Sequence, residues 1–123
     1  MVFNEEERDM SFCISSFLCF RRKETLFLRE SSFQSKLIKE LYEMFPGCVV
    51  LKNDPTYKQG VPDLLILYKD KWATLECKNS ANAHRQPNQD YYVEKMNDMS
   101  FSSFIYPENK EEVLNELQQA FES

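Results

Sequence analysis

Two carboxylates and an amine stand at spacings that suit a metal site. Asp63 follows Gly60-Val61-Pro62 and opens the apolar run Leu64-Leu65-Ile66-Leu67; Glu76 and Lys78 lie within the next apolar run, Leu75-Glu76-Cys77-Lys78. Side chains alternate faces along a strand, so Glu76 and Lys78 share a face with Trp72 and Thr74, and Ala73, Leu75 and Cys77 take the other. A hairpin closing around Lys69-Asp70-Lys71 brings Asp63 opposite or next to Glu76. Two carboxylates that close repel unless a cation lies between them. Hard oxygen donors with no imidazole or thiolate nearby favour Mg2+ or Mn2+. The backbone carbonyl of Cys77, or that of Val61, is a candidate further ligand. Lys78 beside such a site can orient or help deprotonate a water, or offset charge developing on a phosphorane. This set suits hydrolysis of a phosphodiester. Taken singly the parts say little: Asp63 is also a turn residue after Pro62, and Glu-x-Lys is common on solvated faces.

The elements that must position these residues can be read from periodicity. At about 100° per residue, Phe33, Leu37, Ile38, Leu41 and Phe45 fall in one stripe, with Lys36, Lys39 and Glu43 opposite, so residues 30–45 read as a helix stopped by Pro46-Gly47. Glu30 lies near the centre of that stripe and should point toward the sheet, where it would complete an acidic cluster. Glu40, about 80° away at the edge of the stripe, is its rival, or an exposed helix charge. Residues 48–52, 62–68 and 72–78 read as strands, the last two as a hairpin. Asn53-Asp54-Pro55 is a turn and 79–88 a polar loop. Residues 89–99 read as a helix with Tyr92, Val93, Met96 and Met99 inward. Residues 101–106 read as a fourth strand. Pro107 starts a last helix with Val113, Leu114, Leu117 and Phe121 inward. The expected fold is α/β: a single domain with a central mixed four-stranded sheet flanked by helices.

The chain of 123 residues, 42% hydrophobic and 14% aromatic, suits one domain with a modest core. Two glycines argue against a Gly-rich nucleotide loop. A net charge of −5 is the wrong sign for a general nucleic-acid binder, so such binding needs a local basic patch or bound cations. The cysteines, Cys13, Cys19, Cys48 and Cys77, form no Cys-x-x-Cys pair, and His84 is the one histidine, which disfavours zinc and suits reduced thiols in a cytoplasmic protein. Residues 1–29 differ from the rest: acidic over 4–9, apolar over 10–20, basic at Arg21-Arg22-Lys23. The apolar run is too short for a bilayer span, and its basic residues follow it rather than precede it as in a signal peptide. It reads as an appendage to a domain spanning 30–123: a loosely ordered arm, an extra strand, or translation from a start upstream of the domain.

These motifs resemble the PD-(D/E)xK nuclease superfamily. The resemblance is closer to the small VRR-NUC-like, Holliday-junction-resolvase-like nucleases of phages and prophages. It is carried by Glu30-Ser-Ser-Phe-Gln34 with Leu37, Ile38 and Leu41, by Gln59-Gly60-Val61-Pro62-Asp63-Leu64-Leu65, by Leu75-Glu76-Cys77-Lys78, and by Gln86-Pro87-Asn88-Gln89. It covers roughly residues 30 to 120 and implies a restriction-endonuclease-like αβββαβ core. It implies that Asp63, Glu76 and Glu30 bind the catalytic metal, that Lys78 assists the water, and that Gln89 lies near the site and positions substrate or water. It further implies a Mg2+- or Mn2+-dependent endonuclease acting on DNA, with branched DNA as one substrate form, in a bacterial or phage-infected cell. Cutting two strands needs two sites, so a homodimer is the expected state. Lys52, Lys58, His84 and Arg85, with Lys69 and Lys71, are candidates for phosphate contacts around the site. Tyr57 stacks on a base or packs, with packing favoured. The alternatives are a non-catalytic phage-type binding or inhibitor protein built on a nuclease fold, acting on a host protein or sequestering nucleic acid, and a nuclease subunit that works within a larger complex.

Overall fold

Helix, three strands, helix, strand, helix is the order found in the computed structural model, which describes the backbone of residues 25–123 and the side chains of residues 32–123. The N-terminal arm, Cys13, Cys19 and the side chain of Glu30 lie outside the described residues. The elements are α1 (Thr25–Met44), β1 (Val49–Lys52), β2 (Leu64–Tyr68), β3 (Lys71–Cys77), α2 (Pro87–Met99), β4 (Phe101–Ile105) and α3 (Lys110–Glu122). Together they make a single α/β domain with one mixed four-stranded sheet in the order β1-β2-β3-β4. β1, β2 and β3 are successively antiparallel, and β4 joins β3 in parallel after the crossover through α2.

The register sorts the side chains. Leu64 pairs with Leu75 and Ile66 with Ala73, so these four share one face with Cys77. That face is buried against Leu37, Ile38, Leu41 and Phe45 from α1 and Val113, Leu114, Leu117 and Phe121 from α3. Each such aliphatic burial is worth about 1.5–3 kcal/mol, and together they fix the sheet register. Phe45, Tyr68 and Phe121 close one end of this layer, with ring centroids 5.0–5.4 Å apart. On the other face α2 covers β3 and β4: the Thr74 hydroxyl meets Met96 Sδ at 3.7 Å and Ser102 Oγ at 2.7 Å. Trp72, Thr74 and Glu76 are therefore not an outer face; Thr74 and Glu76 are buried under the helix. At the sheet edge, the Val50 N–H donates to the Tyr42 hydroxyl of α1 at 3.2 Å.

Several bounds differ from the sequence reading. Among the described residues α1 covers Thr25–Met44, so it is already helical five residues before the expected start at 30. α2 begins at Pro87, two residues before the expected start at 89, with Pro87 in the first position, where its missing N–H costs no hydrogen bond. Met99, expected inward, is 66% exposed at the end of α2. The β2–β3 turn takes two residues, Lys69-Asp70, because Tyr68 already pairs with Lys71.

Candidate functional site

Asp63 sits just before β2, and its neighbour pair Leu64–Leu75 sets it across from Glu76. The two residues are tied reciprocally. The Asp63 N–H donates to Glu76 Oε1 at 3.2 Å, and the Cys77 N–H donates to Asp63 Oδ2 at 3.0 Å. Asn53, at the end of β1, fixes the approach: its N–H donates to the Asp63 carbonyl at 2.8 Å and its side-chain amide to the Pro62 carbonyl at 2.7 Å.

Glu76 is 4% exposed. A buried carboxylate is tolerated when donors or cations surround it, and here α2 supplies them. Gln89 Nε2 donates to Glu76 Oε2 at 3.0 Å. Gln89 Oε1 accepts from Lys78 Nζ at 2.8 Å and from the Gln86 N–H at 3.0 Å. Lys78 Nζ also donates to the His84 carbonyl at 3.1 Å and lies 3.8 Å from Glu76 Oε2. The Gln89 amide thus has both ends committed, one to the acid and one to the base.

Burial pushes the Asp63 carboxyl above its ordinary range; the Cys77 N–H, Lys78 and Lys52 pull the other way and do not overcome it. A carboxylate in that condition is one that a divalent cation would stabilise. Mg2+ is commonly held by one or two carboxylates, with water and substrate phosphate completing the shell. The oxygen donors of Asp63 and Glu76 fit that requirement. Among the described residues no group of three His, Cys, Asp or Glu side chains stands together to hold a metal. Cys77 turns its side chain into the core, as expected for the residue between Glu76 and Lys78.

Lys52 and Lys58 are exposed on the strand end and loop that lead to Asp63. His84 is exposed and reaches the site through its carbonyl, while Arg85 lies 3.9 Å above the Phe104 ring and 3.5 Å from Asp90. Lys69 and Lys71 are not near the site, because the hairpin places its turn at the far end of β2 and β3 from Asp63 and Glu76. Glu40, the rival helix acid, pairs with Lys110 at the start of α3 at 3.0 Å. Tyr57, expected to pack, is 85% exposed.

Two residues that sequence reasoning passed over have clear roles. The sequence marks Asn53 as a turn residue alone; the signal of its role is an amide placed between a strand and a Pro-containing loop. Asn88, which the sequence places at the end of the polar loop and in the motif at the head of the second helix, lies on α2, and its side chain donates to the Gln59 carbonyl at 3.3 Å. Gly60 packs on Asn88 with φ +91°; a Cβ there would lie 2.7–2.9 Å from Asn88 atoms. Comparison with protein-family models, curated proteins and solved structures gives no match for this chain.

Proposed function

We propose that the protein is a metal-dependent DNA endonuclease of the PD-(D/E)xK kind that hydrolyses phosphodiester bonds. The observation that carries this reading is the coupling of Asp63 to Glu76 across the hairpin, with Lys78 held alongside by Gln89. Asp63 and Glu76 would hold Mg2+ or Mn2+, and the Cys77 carbonyl and Glu30 are the further candidates. When bound, the metal lowers the barrier by activating water and stabilising the leaving oxygen. The chain's own residues do the positioning. Lys78 has three ammonium hydrogens; the His84 carbonyl and Gln89 each take one, and the third can serve a water or a phosphate oxygen. Its charge beside Glu76 offsets negative charge gathering on phosphorus. A homodimer would supply the two sites that cutting both strands requires.

The second reading is a non-catalytic binding protein on the same scaffold. The net charge of −5, which repels a polyanion, favours it. The deciding experiment compares wild type with Glu76→Ala on single-stranded, duplex and branched DNA, with Mg2+ or Mn2+ titrated in. Cleavage that needs the metal and vanishes in the variant is the expected result. Metal-dependent cleavage that survives in Glu76→Ala excludes the assignment, and no cleavage of any form by wild type leaves the binding reading.

A further inference from the structure

We infer that Tyr57 is a stacking platform for an unpaired nucleobase, so that the site takes single-stranded, flapped or junction DNA in preference to continuous duplex. This rests on the nucleic-acid reading of the site and names its substrate class. The ring is 85% exposed and so gains almost nothing from the fold. Yet the loop that presents it, residues 53–63, is tied down along its length. Asp54 Oδ1 accepts the Thr56 N–H at 2.9 Å and its hydroxyl at 2.6 Å, and the Tyr57 N–H donates to the Asp54 carbonyl at 3.2 Å. Asn53 closes the neck onto Pro62 and Asp63. At the other side Gln59 and Gly60 dock on Asn88, the residue before Gln89.

The loop therefore runs from the candidate metal carboxylate to the helix turn that holds Lys78, and Tyr57 is exposed on it, between Asn53 and Gly60 in the chain. Charge decides what that ring is for. With a net charge of −5, the chain draws little affinity from phosphate attraction at long range. Exposed Lys52, just before the loop, and Lys58, within it, supply local contacts only. Stacking does not depend on net charge, and each base–aromatic contact contributes substantially to single-strand binding. It requires an open base face, which a stacked duplex does not offer.

The test is fluorescence anisotropy with full-length protein in a chelator at low salt, where nothing is cut. The probes are a labelled oligothymidylate, a flapped duplex and a blunt duplex. Tyr57→Ala should weaken oligothymidylate and flap binding by roughly 5- to 100-fold and leave blunt-duplex binding unchanged. Tyr57→Phe, which keeps the ring, should stay close to wild type. The inference is overturned if Tyr57→Ala binds the single strand as wild type does, or loses single strand and duplex equally. It is also overturned if no oligonucleotide binds at all, which would leave Tyr57 to a protein partner. Glu76-dependent cleavage with Tyr57-independent binding would remove this inference and keep the nuclease. Tyr57-dependent binding with no cleavage under any divalent metal would do the reverse.

Discussion

The Glu76 carboxylate accepts the backbone N–H of Asp63, and the Asp63 carboxylate accepts the N–H of the residue that follows Glu76. Each acid is oriented by the other's strand. Neither can swing away without breaking a hydrogen bond to a partly buried amide, which costs about 1–3 kcal/mol. The pair is held in place by the hairpin register itself, so the negative charges are gathered before any cation arrives.

Asp63 should be a liability to the metal-free fold. Its carboxyl is held above the ordinary value of 3.8 by burial. A group with a raised folded pKa contributes stability below its unfolded pKa and loses it as pH rises through the folded one. Near neutral pH the ionised form therefore carries a burial cost. Asp63→Asn keeps an oxygen for the Cys77 N–H and removes the charge. In a chelator near neutral pH the variant should melt higher than wild type, with the gap closing as pH falls toward the ordinary carboxylate range. Added Mg2+ should raise the wild-type midpoint by mass action and leave the variant's unchanged. A variant that melts lower at neutral pH would show that Asp63 is a structural residue.

Gln89 should act as a positioning residue. Removing its amide leaves Glu76 Oε2 without that donor and Lys78 without its 2.8 Å acceptor. Gln89→Ala should lower kcat for cleavage by about 10- to 100-fold, the usual effect of losing an outer partner of a metal ligand. KM for DNA should change little, because no substrate contact is removed. Steady-state kinetics on one fixed substrate separates the two. A rise in KM at constant kcat would place Gln89 on the substrate instead.

The sequence disclosed what depends on local periodicity. Leu64, Ile66, Ala73 and Leu75 alternate, and Lys69-Asp70 interrupts them, so the hairpin and the approach of Asp63 to Glu76 could be read directly. Val113, Leu114, Leu117 and Phe121 marked the inner face of α3 in the same way. Apolar periodicity does not set the phase of α2, because the helix packs on Glu76 and Thr74 through Gln89 and Met96; Met99, apolar and at a suitable spacing, is exposed for that reason. Lys69 and Lys71 are near the site in sequence only, because a tight turn carries them a strand's length away. The service of Asn53 to Pro62 depends on which carbonyl the returning loop brings back, and no residue pattern states that.

Glu40 should be dispensable. Its pairing with Lys110 spans α1 and α3 at partly exposed positions, where such a pair is worth about 0–1 kcal/mol. Glu40→Gln should shift the denaturant midpoint only slightly and leave metal-dependent cleavage intact. Glu30→Gln should impair cleavage if Glu30 is the helix acid. Measuring both variants at saturating Mg2+ assigns the role. Loss of cleavage in Glu40→Gln with Glu30→Gln active would exchange the two.

Gly60 should be the most demanding position in the loop. Its φ of +91° is a conformation that side chains resist, and the space beside it is filled by the backbone and side chain of Asn88. Gly60→Ala forces the loop off α2 or the helix turn off the sheet, at about 1–3 kcal/mol. The displacement reaches function by a short route, since Asn88 precedes Gln89 and the loop ends at Asp63. Gly60→Ala should therefore lower stability in urea and reduce cleavage together. Asn88→Ala gives up a 3.3 Å hydrogen bond to Gln59 and should cost about 1 kcal/mol or less. Because it removes Cγ, the nearest atom that a Cβ at residue 60 would meet at 2.7 Å, and leaves the Asn88 Cβ and backbone carbon at 2.9 Å, the double variant should recover a small part of the Gly60→Ala loss. Strict additivity of the two changes would mean that the close approach of Gly60 to Asn88 is not what holds the loop.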